Sequence, residues 1–234
     1  AHNYSKDLWL NTTWPGGIRP FQWILAKFYP IPDWHKQDTS KGIIYYTDNQ
    51  LEQSLFEKVQ KQLRKAVGEK PIVAVSLEPM EFSSQVQKSF VLGQQRGYLT
   101  MAKQILTALE NSEARIIFFC EHDVLYHRSH FDFTPPKEDV YYYNTNVWKV
   151  RQSDGHAYRT DDMKQLSGLC AYRDILIKHF KERVKRLEEA QVSMSTEDFN
   201  RYVRAMGFEP GTHGREERID DLKADNWESR RPNL

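Results

Sequence analysis

The segment Arg115-Ile116-Ile117-Phe118-Phe119-Cys120-Glu121-His122-Asp123 constrains this chain more than any other. An unbroken apolar run of strand length reads as a strand buried on both faces, as in parallel sheets covered by helices. The run stops abruptly at three ionisable residues. Ligands of such sheets sit in the crevice at the carboxyl ends of the strands. Glu121, His122 and Asp123 therefore stand where chemistry belongs. Strand alternation sends Glu121 and Asp123 to one face and His122 to the other. Two carboxylates that close repel unless a cation lies near them, and their oxygens suit Mg2+ or Mn2+. The plainer alternative is a solvated turn after a core strand.

The surrounding pattern supports an α/β fold. Ile43-Ile44-Tyr45-Tyr46 reads as an earlier buried strand, followed by Thr47-Asp48-Asn49 and an amphipathic helix. Leu51, Leu55, Val59 and Leu63 share one face of that helix, Gly68 ends it, and Asn49 with Glu52 reads as its N-cap and capping partner. Residues 72–77 predict a second strand, 79–97 a loop and 98–109 a helix. The order β-α-β-loop-α-β implies a parallel sheet covered on both faces. The second half is less regular, with an aromatic stretch at 140–150, a helix around 171–190 and a shorter one around 197–206 capped by Gly207. Residues 208–210 look strand-like. Residues 1–41 hold Trp9, Trp14, Trp23 and Trp34 among prolines, and are expected to form an irregular arm on a single domain spanning 42–234. That domain divides into halves at 42–125 and 126–215, with a tail at 216–234 that has no closing strand or helix.

Composition removes several classes. The 234 residues carry 33 Lys+Arg against 32 Asp+Glu, a net charge of +1, which argues against a protein that coats nucleic acid. No run approaches the ~18 apolar residues of a membrane span. Cys120 and Cys170 cannot build a disulfide framework and are expected as reduced core thiols of a cytoplasmic protein. Neither a Walker-type phosphate loop nor a dinucleotide fingerprint follows the first strand. Zinc would need clustered thiolates, which are missing. Two further groups carry chemistry. Arg96 can add positive charge near phosphates. Alternation puts Tyr142, Asn144, Asn146 and Trp148 on one strand face, a mixture of rings and amides suited to sugars or nucleobases. A half-buried strand gives the same pattern.

An apolar strand ending in Glu121-His122-Asp123, with Arg96-Gly97, Ala102, Leu106 and Leu109 in the helix before it, resembles the GT-A-fold glycosyltransferases over about residues 42–215. In that family a strand ending in Asp-x-Asp, or a variant of it, holds a divalent metal on the diphosphate of a nucleotide sugar. The resemblance implies a Rossmann-type mixed sheet, mostly parallel, with helices on both faces. It implies Mn2+ or Mg2+ held by Asp123 and Glu121, with His213 of Thr212-His213-Gly214 completing the shell. It places Thr47, Asp48 and Asn49 at the nucleoside, Arg96 and His122 beside the donor, and the turn at Ser167-Gly168 near the acceptor. For an inverting enzyme it implies a carboxylate base at the start of a helix, Asp198 ahead of Glu197. Ser195-Thr196-Glu197-Asp198 is equally how an ordinary helix begins, and His213 is equally an ordinary loop residue.

The expected activity is transfer of a sugar from a nucleoside diphosphate sugar, uridine diphosphate foremost, to an acceptor hydroxyl. The acceptor is unspecified: a glycan, a small molecule, or nucleic acid if the basic helix face at 178–186 has a use. Two alternatives belong to other classes. A nucleotidyltransferase would show a Gly-rich loop where Thr47-Asp48-Asn49 stands. A non-catalytic carbohydrate- or nucleotide-binding module would use the aromatic surface without metal.

Overall fold

The computed structural model describes residues 40–81, 86–212, 217–221 and 223–234. The arm expected at 1–41 and the ligand expected at His213 lie almost wholly outside these residues. The first half runs β1 (Lys41–Thr47), α1 (Gln53–Val67), β2 (Ile72–Ser76), β3 (Val86–Val91), α2 (Tyr98–Asn111) and β4 (Ile116–Glu121). The second half adds β5 (Tyr141–Asn144), β6 (Trp148–Val150), β7 (Ala157–Arg159), β8 (Leu169–Tyr172), α3 (Arg173–Ser193), α4 (Thr196–Met206) and β9 (Ala224–Trp227).

Seven strands form one sheet in the order β3-β2-β1-β4-β8-β5-β9, and β6 pairs with β7 apart from it. Only β8 runs against its neighbours β4 and β5; the other sheet pairings are parallel. The apolar runs predict a parallel sheet, and the antiparallel β8 makes it the mostly parallel mixed sheet that the resemblance implies. Alternate side chains feed two separate cores. Ile44, Tyr46, Val73, Val75, Ile117 and Phe119 pack with Ile105 and Leu109 of α2, Leu176 and Phe180 of α3, and Val203 of α4. Ile43, Tyr45, Ile72, Ala74, Phe118 and Cys120 pack on the opposite face with Leu63 and Val67 of α1 and with Phe131. Burial on both faces is why β1, β2 and β4 carry no polar alternation.

Several local expectations are corrected. The stretch read as a loop at 79–97 contains β3, an edge strand whose side chains alternate between half-buried and exposed. Gln87, Lys88 and Ser89 blunt an edge that would otherwise invite pairing, and they also hid the strand. The N-cap of α1 is Glu52, whose carboxylate accepts from the backbone N–H groups of Ser54 and Leu55. Asn49 instead takes a left-handed backbone, φ 59°. Its Oδ1 accepts from the N–H groups of Leu77 and Glu78 at 2.9 and 3.1 Å, tying the ends of β1 and β2 together. Residues 208–210 form a bend and turn, and the Ser167-Gly168 turn leads into β8 before any helix. A Cβ on Gly168 would stand 2.9 Å from the carbonyl oxygen of Asn144, so only glycine lets the two segments pass.

The tail was expected to lack regular structure; it closes the sheet. β9 pairs with β5 from Tyr141↔Ala224 to Asn144↔Trp227. Leu125 and Leu234 exchange two backbone hydrogen bonds of 2.6 and 3.1 Å. Fully buried Asn233 and Asn144 both donate from their amides to Nδ1 of His130, at 3.1 and 3.0 Å. Two donors on Nδ1 leave the ring proton on Nε2, in a neutral ring packed by Phe118, Tyr126, Phe131 and Trp227.

Burial pushes the His130 pKa down to about 3. Folded His130 therefore stays neutral between that value and the ordinary histidine range, while the unfolded chain takes up a proton there. The contribution of this residue to stability is complete above about pH 6.5 and falls as pH drops, by up to ~1.4 kcal/mol per pH unit. The expected result in 15N NMR is a neutral His130 ring in the folded protein at pH 4.5. A ring that protonates near pH 6 would contradict this environment.

Candidate functional site

The carboxyl ends of β1, β2 and β4 and the amino end of α2 enclose a cavity of about 480 Å3. β1 and β4 are sheet neighbours with Tyr46 opposite Glu121. That register sets Thr47-Asp48 beside His122-Asp123 at the sheet's edge. Thr47, Asp48, Arg96, Glu121, His122 and Asp123, all singled out from the sequence, line this one cavity. The strict alternation expected for Glu121, His122 and Asp123 fails, because β4 ends at Glu121 and the next two residues turn. The turn is what allows all three side chains to share one space.

Glu121 is held from two sides. The Tyr46 hydroxyl donates to its Oε1 at 2.5 Å, and its backbone N–H donates to the Tyr126 hydroxyl at 3.1 Å. Tyr126 in turn donates to the carbonyl oxygen of Ser167 at 3.1 Å. Burial pushes the Glu121 carboxyl up to about 7; the Tyr46 bond opposes this, and the negative charges of Asp123 and Glu209 add to it. Asp48 organises the opposite wall. Its Oδ2 lies 2.7 Å from Nε of Arg96 and its Oδ1 lies 3.5 Å from Nε2 of His122. The first turn of α2 opens on the cavity at Gly97, whose position as N-cap brings no side-chain acceptor. Its free N–H groups and the helix dipole favour an anion.

One cavity thus holds an acidic side, Glu121 and Asp123, and a cationic side, Arg96 and the start of α2. The acidic side fits a divalent cation. A desolvated carboxyl with a raised pKa beside a second carboxylate is the environment a bound cation relieves, and two oxygen donors leave positions open for phosphate. Among the described residues no third His, Cys, Asp or Glu joins them in a ligand cluster.

Other expected site residues sit elsewhere. Asn49 is the strand tie described above. Tyr142 and Asn144 are buried in β5, and Asn144 is consumed by His130, Asn146 and Ser229. Asn146 donates to the carbonyl of Ser229 at 2.8 Å, while Trp148 lies on the separate β6–β7 hairpin. These four do not share an open face, because β5 stops at Asn144. Ser167 and Gly168 are buried below the end of β4. Ser195 caps α4 and occupies Asp198: its hydroxyl oxygen accepts from the Asp198 backbone N–H at 3.2 Å and donates to Asp198 Oδ2 at 2.7 Å, and Arg201 pairs with both Asp198 and Glu197. Neither carboxylate lines the cavity. Cys120 and Cys170 are buried and unpaired, and burial pushes both thiols up, away from nucleophilic use.

Two residues with functional positions went unread in the sequence. Tyr46 looked like core. Gln104 donates to the carbonyl oxygens of Thr47 and Val75 at 2.8 and 3.2 Å, locking the floor of the cavity. A lone amide among the apolar positions of α2 was the available signal.

The fold and site define an α/β protein with a two-signed ligand cavity at the carboxyl edge of a mostly parallel sheet. No family model and no curated protein matches the chain. Among solved structures it is similar to S. aureus TarS, with a TM-score of 0.40 and 11% identity over 60% of this chain and 29% of that one. It is also similar to the WbbM bifunctional glycosyltransferase in its apo form, with a TM-score of 0.35 and 10% identity over 76% and 37%. The chain therefore spans about a third of the length of these structures. Likeness at this level carries no argument about activity. Among the described residues no helix is long and apolar enough to cross a membrane.

Proposed function

We propose that this protein is a metal-dependent glycosyltransferase that takes its sugar from a nucleoside diphosphate sugar, with uridine diphosphate as leaving group. The observation that carries the reading is the meeting of a carboxylate pair and a cationic pole in one cavity at the strand ends. A lone anion site would lack the carboxylates, and a lone cation site would lack Arg96 and the open helix start. A metal-bridged diphosphate needs both. Glu121 and Asp123 would hold Mn2+ or Mg2+, which supplies Lewis acidity to the departing diphosphate. Arg96, aimed by Asp48, and the first N–H groups of α2 receive the charge that grows as the sugar leaves. Tyr46 keeps Glu121 in place, and Thr47 and Asp48 bound the side left for the nucleoside. The acceptor's proton is not assigned to Asp198, whose carboxylate serves the α4 cap and Arg201.

Thermal melting tests this directly. Saturating uridine diphosphate with Mn2+ together is expected to raise the melting temperature by about 5 °C, as binding at ~100 times Kd adds ~2.7 kcal/mol. Either alone should give little. Stabilisation by nucleoside triphosphate well above diphosphate would favour nucleotidyl transfer. A shift with free sugars alone would favour a binding module, and no nucleotide response would remove the transferase reading.

A further inference from the structure

A second cavity, of about 590 Å3, opens beside the first between the β3–α2 loop and the joint of α3 and α4. The two share Arg96, Gly97, Tyr98 and Thr100, so they are neighbours across a common wall. Their chemistry differs. The second cavity is lined by the amides of Gln94, Gln95, Gln191 and Asn200, and no carboxylate of the described residues contributes to it. Of its two cations, Lys103 is engaged by Glu188 at 2.8 Å, and Arg96 is turned to Asp48, 2.7 Å away on the side of the strand-end cavity. The charge of Arg96 thus serves the strand-end cavity, and the second cavity keeps no counter-charge of its own. Apolar surface stands among the amides: Tyr98 is 38% and Met194 40% exposed, and Phe199 is half-buried. The Tyr98 ring rests on Phe208, with centroids 5.3 Å apart, which fixes its position in the shared wall. The loop bearing Gln94 and Gln95 is fixed as well, because the Thr100 hydroxyl donates to the carbonyl of Gln95 at 2.6 Å.

Separated amides that offer both donors and acceptors, set around apolar rings with no free charge, match a neutral polyhydroxylated chain. Its hydroxyls meet the amides and its C–H faces meet Tyr98 and Phe199. A cavity of this size exceeds what one nucleobase fills, and its position beside the strand-end cavity gives such a chain a direction. We infer that the second cavity is a binding site for a neutral oligosaccharide whose end reaches the strand-end cavity past Tyr98. That this oligosaccharide is the acceptor rests on the transferase reading; that it binds does not.

The test is isothermal titration with cello-, chito- and maltotetraose and their monosaccharides as probes. Binding of at least one tetraose, tenfold or more tighter than its monosaccharide, is expected. The double variant Gln191→Ala/Asn200→Ala should weaken that tetraose at least fivefold and leave the melting shift by uridine diphosphate and Mn2+ unchanged. Gln191→Arg, a single exposed substitution that fills the rim, should do the same if the double variant folds poorly. Failure of all three tetraoses to bind, or equal binding to the variants, overturns the inference while the nucleotide response stands. Tetraose binding without a nucleotide response instead removes the transferase reading and leaves the oligosaccharide site.

Discussion

Replacing Asp123 with alanine is expected to lower sugar transfer by about a hundredfold or more, the scale on which loss of a metal's support acts. The fold should survive. Asp123 is exposed, sits in the turn after β4 and belongs to neither core, so its removal opens no cavity. The melting temperature of the free protein should stay within about 2 °C of the parent, as surface substitutions cost little. The stabilisation that needs uridine diphosphate and Mn2+ together should vanish in the same variant. Asp123→Asn keeps the shape and removes the charge, so it should behave like alanine. Full transfer by either variant would remove Asp123 from the mechanism and, with it, the main support for a metal.

The second large effect is on stability. Asn144→Ala should destabilise the protein by about 3 kcal/mol, a fall in melting temperature of roughly 6–12 °C for a chain of this size. Asn144 is 1% exposed. Its Oδ1 accepts from the backbone N–H groups of Asn146 and Ser229, at 3.1 and 3.2 Å, and its amide donates to the Ser229 hydroxyl and to His130. Truncation orphans buried donors on the segment that follows β9, so the closing strand loosens with it. The sequence pattern suggested acceptor binding at this position. A variant that keeps its melting temperature and loses acceptor affinity would restore that role and refute the clasp.

Legibility in the sequence followed burial. β1, β2 and β4 announce themselves because both faces are covered, and a run such as Ile116-Ile117-Phe118-Phe119-Cys120 has few other uses. α2 and α4 were readable for the related reason that one stripe of each meets a core. β3 and β9 were not, since edge strands keep polar side chains and Ala224-Asp225-Asn226-Trp227 shows no apolar period. The cap of α1 was misplaced because Asn49 and Glu52 both have capping chemistry, and only the left-handed backbone at Asn49 turns its amide toward Leu77 and Glu78. Capping and catalysis use the same residues at Ser195-Thr196-Glu197-Asp198, where the structure shows the cap.

By itself the chain's order of residues determined a helix-covered parallel sheet and an acidic strand end, because transfer of apolar side chains from water is indifferent to what the rest of the fold does. Tertiary structure alone decided which distant side chains meet. The pairing of Tyr46 with Glu121 across β1 and β4 brings Asp48, Arg96 and His122 around the carboxylates. The pairing of β5 with β9 likewise carries Asn144 inward to clasp the segment that follows β9. Burial of the strand faces restricts register, but which residues of strands far apart in sequence come to stand opposite one another depends on how whole elements pack.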